Sequence, residues 1–304
     1  MLYRIELDAT VSAGIKRVAL EQAELARSHL IHPPNDDIHE GIHEARKCFK
    51  RLRGVLRLAR PVLGKKIYRQ ENARYRDAAH SLSAVRDAQA MVECFDMLEK
   101  SFGRRVNFDR MRSLRTKLKD HRDNLASDQS AVDERVENII EELRNAVSII
   151  HHWPLKGSSC EDYACGLQRV YRRASKAWKR VRSRHDPEIM HEWRKRAKYL
   201  CYHYRLIKDI DKNWAKKRKK GFKHLSDLLG DHHDLDVLRK KLDAMEDSGL
   251  NVVAECEFRT LLRLKQDFIY QATLQCGSPL LQKKAKKLRK QVYQRLLEAH
   301  SNIC

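Results

Sequence analysis

Apolar residues recur at alternating steps of three and four in two separated stretches of the chain. Ile42, Ala45, Phe49, Leu52, Leu56 and Ala59 make the first stripe, and Met190, Trp193, Ala197, Leu200, Tyr204 and Ile207 make the second. At about 100° per residue this spacing holds each stripe on one side of a helix, as in a packed bundle. Near the C-terminal end Leu281, Ala285, Leu288, Val292 and Leu296 fall on one side and lysines on the other, which predicts a docked helix with a solvated basic face. With only 11 Gly and 6 Pro in 304 residues, turn-formers are too scarce for many short strands. The expected fold class is all-α.

The two stripes belong to an internal repeat. IHEARKCFKRL (Ile42–Leu52) aligns with MHEWRKRAKYL (Met190–Leu200) 148 positions later, with six of eleven residues identical. At an offset of 147, LSAVRD (Leu82–Asp87) meets LGDHHD (Leu229–Asp234) and Arg76 meets Lys223. HHWPLKGSSC (His151–Cys160) gathers Pro, Gly and Ser after a long helical stretch. The expectation is therefore a helical half over 1–152, a linker at 153–160 and a related half over 161–304, each a bundle of about four helices. Asp36 or Asp37 and Asp186 stand where N-caps would start the repeated helices.

Charge changes the picture. A second line runs along the same helix: His43, Arg46, Lys50, Arg53, Arg57 and Arg60, answered in the other half by His191, Arg194, Lys198, Cys201, Arg205 and Lys208. It is centred roughly 110° from the apolar stripe, so it borders a groove instead of facing straight outward. Arg and Lys one turn apart repel and weaken a helix unless something compensates. A solvated face is the ordinary reading of such a helix. Two features oppose it here: the line occurs twice in matching register, and each copy opens on a histidine.

The formal charge of +22 disfavours compaction unless a polyanion offsets it. Aromatics at 7% give little surface for stacking bases. The N-terminal stretch lacks the apolar core of a signal peptide, and no run of eighteen apolar residues offers a spanning helix. Eight scattered cysteines, Cys304 among them, show no CxxC spacing and are expected as thiols in a cytoplasmic protein.

The pattern HxxRxxxKxLxxxLR beginning at His43, and a second helix expected to end Ser83-Ala84-Val85-Arg86-Asp87, resemble the conserved histidine α-helical (CHAD) domain. In the second half, His191–Tyr202 resembles that family's second histidine motif, and Leu229-Gly230-Asp231-His232-His233-Asp234 its Leu-Gly-x-x-x-Asp element. The resemblance spans roughly residues 5–300. It implies a double helical bundle with internal two-fold symmetry, a basic central channel, and binding of inorganic polyphosphate, including association with polyphosphate granules. By position the implied contacts are His43, Arg46, Lys50, Arg53, Arg57, His191, Arg194, Lys198 and Arg205, with Arg76 and Lys223 from the second helix of each half. Asp87 and Asp234 look structural, capping a helix end or pairing with a basic neighbour. Tyr199 and Cys201 stand where the family carries basic residues, and His233 replaces the counterpart of Arg86. The ExExK strand of the triphosphate tunnel enzymes fused to some members is absent, so a stand-alone module is expected.

Polyphosphate presents only anionic oxygens, which Arg forks bind bidentately and Lys meets as a point charge. Histidines beside these cations should be neutral when the site is empty and protonate as phosphate arrives, strengthening binding below about pH 7. Asp231-His232-His233-Asp234 contains metal-ligand types, but consecutive helical residues diverge, so no metal and no cofactor is expected. Catalysis of phosphoryl transfer lacks a phosphate loop, and Glu44 and Glu192 read best as partners of Lys or Arg one turn along. A nucleic-acid-binding helical protein is the alternative from another class, resting on the basic tail and on Lys216–Lys220; a phosphohydrolase comes after it.

Overall fold

The structure, a computed structural model, describes residues 3–6, 10–127 and 129–301; Cys304 lies outside them. It is built from ten helices: α1 (Val11–Ile31), α2 (Ile38–Ser81), α3 (Ala84–Phe102), α4 (Arg112–Ala126), α5 (Gln129–His151), α6 (Cys160–Ser183), α7 (Pro187–Leu206), α8 (Lys212–Asp243), α9 (Val252–Leu281) and α10 (Ala285–Ser301). Short 3-10 turns at Pro34–Asp36 and Phe108–Met111 complete it, and no strand occurs among the described residues. The fold is all-α.

The helix starts carry the chemistry their sequences offer. Asp37 Oδ1 accepts from His39 N at 2.8 Å to open α2, and Asp186 Oδ1 accepts from Glu188 N at 2.9 Å to open α7, with Pro187 following. Such a cap satisfies amide donors that have no partner within the helix. Ser159 and Asp162 form a reciprocal capping box at α6. Asp211 caps α8 through Trp214 N and also receives Arg295 Nε at 2.9 Å, tying α10 to the start of α8.

α2 is interrupted at Gly64, whose φ of 74° and ψ of 174° suit a residue without a side chain. By the 147-residue offset this break falls at Asp211, where α7 gives way to α8. The halves differ at the next joint. Ser83–Asp87 does not end a helix as expected: the chain turns at Leu82-Ser83 and Ala84 opens α3, placing Asp87 in a first turn, where a carboxylate is favoured. The matching Leu229–Asp234 lies inside an unbroken α8.

Two apolar cores result. The larger gathers α1, α2, α5, α6, α7, the first part of α8 and α10, with Phe49, Leu52, Trp193, Leu200 and Tyr204 fully buried. Each such large side chain contributes about 1.5–3 kcal/mol through burial. The smaller joins α3, α4, the second part of α8 and α9 around Phe95, Leu238 and Phe258. Each core draws on helices from both sides of residues 153–160, and Trp153 and Leu155 in that connection are themselves buried. The C-terminal helix docks as its pattern predicts, with Leu288, Val292 and Leu296 buried. The seven described cysteines are free thiols. α8 runs through both cores, and its polar stretch around Ser226–Asp234 lies where one core gives way to the other.

Candidate functional site

At that seam α2, α3, α7 and α8 enclose a cavity of about 600 Å³. α2 and α7 bury their apolar stripes in the larger core, which turns the neighbouring basic lines into the cavity. His43, Arg46, Lys50 and Arg53 enter from α2, and His191, Arg194 and Lys198 from α7. Seven of the eleven residues predicted as contacts thus share one space.

The repeat is visible in the pairing. Arg46 Nη2 stands 3.8 Å from Asp87 Oδ1, and Arg194 Nη2 stands 3.9 Å from Asp234 Oδ1, so equivalent arginines meet equivalent aspartates. Both distances describe loose pairs that orient the guanidinium without saturating its donors. Arg46 Nη1 also donates to the Leu82 carbonyl at 2.7 Å, which anchors it with only 11% of its side chain exposed. Glu44 pairs with Lys47 at 2.5 Å and Glu192 with Lys195 at 3.1 Å, again as repeat mates. These glutamates hold neighbours on their own helices and do not line the cavity.

Lys50 is the most exposed to its own kind. Arg46, Arg194, Lys198 and Arg86 act on its ammonium, and no carboxylate among the described residues lies within ion-pair distance of it. Water reaches it through the cavity, but its depth within the protein strips hydration, and with the like charges lowers its pKa to about 8. The histidines behave similarly. Burial, with Lys195 and Arg194, lowers His191 to about 4, and burial, with Arg194 and His191, lowers His233 to about 3. His43 is also lowered, by burial and then Lys47. The His191 and His233 rings lie 4.4 Å apart between centroids, the place of the His43–Arg86 pair in the other half.

Four predicted contacts lie elsewhere. Arg57 is buried beneath the cavity wall, its guanidinium 3.8 Å over the Tyr199 ring and its Nη1 donating to the Arg53 carbonyl at 2.6 Å. Arg205 is exposed and lies 5.7 Å over the Tyr3 ring. Arg76 is exposed on α2 and paired with Asp77 at 2.7 Å. Lys223 is one turn short, held by Asp227 at 2.7 Å. Arg76 and Lys223 are repeat mates and both stop short of the cavity; on the first side the cavity cation beyond α2 is Arg86 at the start of α3.

Sequence reasoning also missed an acidic wall. Asp227, Asp231 and Asp234 line the cavity from one face of α8, at steps of four and three that the chain displays openly. Asp231 and Asp234 have raised pKa values, chiefly through burial and secondarily, for Asp231, through Asp234 and Asp227. Of the Asp231–Asp234 tetrad, His232 turns away to place Nε2 3.0 Å from His185 Nε2. No three His, Cys, Asp or Glu side chains among the described residues are placed to hold a metal together.

This arrangement, two matched helices offering basic lines to one cavity, has a family counterpart: the CHAD domain model matches residues 18–243. The chain belongs to the CHAD domain family. The crystal structure of the CHAD domain from the plant Ricinus communis superposes with a TM-score of 0.55 over 96% of each chain at 18% identity, a likeness of fold. No curated protein matches the sequence. CHAD domains as a family are associated with polyphosphate binding. No helix among the described residues of this CHAD protein is long and apolar enough to cross a membrane.

Proposed function

We propose that this protein binds inorganic polyphosphate, without catalysis, in the cavity between α2, α3, α7 and α8. The observation that carries this reading is Lys50: a lysine without an ion-pair partner among the described residues, surrounded by Arg46, Arg86, Arg194 and Lys198. Gathering like charges costs free energy, which an anion threading between them recovers. The contacts are His43, Arg46, Lys50, Arg53, His191, Arg194 and Lys198, with Arg86 added; Arg57 supports the wall through Tyr199. The two repeated halves supply one basic line each.

A narrow phosphate chain suits this space better than a duplex. The arginine heads are recessed, and a cavity of about 600 Å³ admits a few phosphates but not a B-form helix. Tyr199 is the single lining residue with a ring able to stack on a base other than the histidines, so a single strand has little to rest on. Asp87 and Asp234 stand beside Arg46 and Arg194, and Asp227 holds Lys223, an arrangement that supports a counter-charge role for these carboxylates. We extend the proposal to residence on polyphosphate granules in the cytoplasm.

The test is titration with polyphosphate at fixed ionic strength, comparing the native chain with Lys50→Glu and Arg194→Glu. Each charged contact is worth about 1.5–3 kcal/mol, so each reversal should weaken binding by about tenfold or more. Unchanged affinity in both folded variants removes the cavity from the function. Displacement of polyphosphate by duplex DNA at equal phosphate concentration would favour the nucleic-acid reading.

A further inference from the structure

α9 is apolar on two sides. Phe258, Leu261, Leu262 and Ile269 bury one side in the smaller core. On the other, Val252, Val253, Leu264 and Phe268 are 86%, 72%, 52% and 70% exposed, whereas the next most open large apolar side chain of the described residues, Ile31, is 38% exposed. At about 100° per residue Val253, Thr260, Leu264 and Phe268 fall on one face. The polar covering of an ordinary surface helix is missing from that face. A contiguous exposed apolar face of this kind marks an interaction surface.

Its charge is equally out of character. Basic residues exceed acidic ones by 22 over the chain, and α10 alone carries Lys286, Lys287, Arg289, Lys290 and Arg295 against Glu298. α9 carries three residues of each sign. Arg259 is held by Asp243 at 2.6 Å and by Glu255 at 2.8 Å, and Lys265 Nζ donates to Ser101 Oγ at 2.9 Å. Among the eleven exposed positions of α9 the charges are Arg263 and Asp267 alone. They cancel, and neither has an ion pair among the described residues.

These two features together select the occupant. Two molecules of charge +22 repel across most of their surfaces, and an acidic partner is drawn to the basic faces instead. The α9 face lets two copies meet with apolar area and no added net charge. It is also self-complementary. About a two-fold axis near Lys265, antiparallel α9 helices bring Arg263 of one copy level with Asp267 of the other on the same flank, and Leu264 beside the other Phe268. We propose that α9 is an isologous docking surface through which two copies of this chain associate. The inference is independent of polyphosphate binding, because the face lies outside the cavity.

Sedimentation velocity of the full chain over a range of concentrations, without polyphosphate, tests it. The native chain should form a reversible dimer. Leu264→Glu/Phe268→Glu changes only exposed positions, circular dichroism verifies its fold, and it should weaken the dimer about tenfold or more. Arg263→Asp and Asp267→Arg, each alone, set like charges against one another twice across the axis and should each weaken the dimer about tenfold or more. The two changes combined restore opposite charges and should recover most of the native affinity. A native chain that stays monomeric, a dimer unchanged in Leu264→Glu/Phe268→Glu, or a combined charge exchange no tighter than the single ones each overturns the pairing. A monomer that floats with phosphatidylcholine vesicles overturns it too, and assigns the face to a lipid surface.

Discussion

His203 on α7 donates from Nε2 to the carbonyl of Gly54 on α2, 3.0 Å away, at the crossing that aligns the two basic lines. The imidazole is fully buried, and its Nδ1 has no hydrogen-bond partner. Burial lowers its pKa to about 4, against the opposing effect of the Gly54 carbonyl. Between 4 and the ordinary 6.5 the unfolded chain binds a proton that the folded chain refuses. The stability this group provides is therefore complete above pH 6.5 and is lost as pH falls toward 4, in total about 3 kcal/mol. Denaturant midpoints should fall across this window in the native chain. His203→Gln, which keeps a donor but cannot titrate, should show a shallower fall; an identical pH profile would refute the assignment.

Gly166 of α6 is pressed against the α2 backbone so closely that a methyl group there would lie 2.0 Å from the Leu58 carbonyl oxygen. A carbonyl inside a helix cannot swing aside as a side chain can. Gly166→Ala should destabilise the fold by about 1–3 kcal/mol or more through forced separation of α2 and α6. Gly64→Ala meets no atom within 4 Å, but φ of 74° with ψ of 174° is a conformation essentially confined to glycine and imposes a penalty of about 1–3 kcal/mol. Urea titrations of both should rank Gly166→Ala as the more damaging; the reverse order would show that the α2–α6 crossing yields easily.

Much of this was legible in the chain because periodicity reports directly on faces. The stripe of Ile42 to Ala59 and that of Met190 to Ile207 are core, the capping aspartates Asp37 and Asp186 cap, and the basic lines beside the stripes enter a cavity. A repeat offset identifies which residues are equivalent, as Arg46–Asp87 and Arg194–Asp234 show. It does not say where the chain bends. Leu82-Ser83 breaks the first half where α8 runs straight through the second, and Arg86 just past that break reaches the site, while Arg76 and its repeat mate Lys223 do not. Arg57 and Arg205 carry the right spacing, but aromatic faces from other elements, Tyr199 and Tyr3, hold them outside the cavity. Such tertiary partners leave no periodic signal.

Lys50 makes binding depend on pH in a definite direction. Its pKa near 8 in the empty cavity comes from lost hydration and from Arg46, Arg194, Lys198 and Arg86. A bound polyanion favours the ammonium and raises that value, so binding takes up a proton at pH values above about 8. Affinity for polyphosphate should therefore decline as pH rises through 8 toward 10. His191 and His233, near 4 and 3 when empty, add a second uptake on the acid side, where affinity should grow as pH falls below neutrality. Calorimetry in buffers of different ionisation enthalpy measures the protons taken up at each pH. Replacing Lys50 by Gln should remove the alkaline uptake and leave the acidic one; persistence of both would show that Lys50 does not face the ligand.

Asp231 works against the anion. It opens into the cavity from α8, has no ion pair among the described residues, and stands near Asp227 and Asp234. Burial, then Asp234 and Asp227, raises its pKa, yet at neutral pH the carboxylate still repels a phosphate chain at the site. Asp231→Asn keeps the shape and removes that charge, so it should strengthen polyphosphate binding severalfold at pH 7. The advantage should shrink on acidification, because the native carboxyl then becomes neutral and an arriving polyanion raises its pKa further. Titrations at pH 7 and pH 5 measure both effects. Weaker binding in the folded variant would assign Asp231 the opposite task, orienting Arg194 or Lys265 toward the ligand.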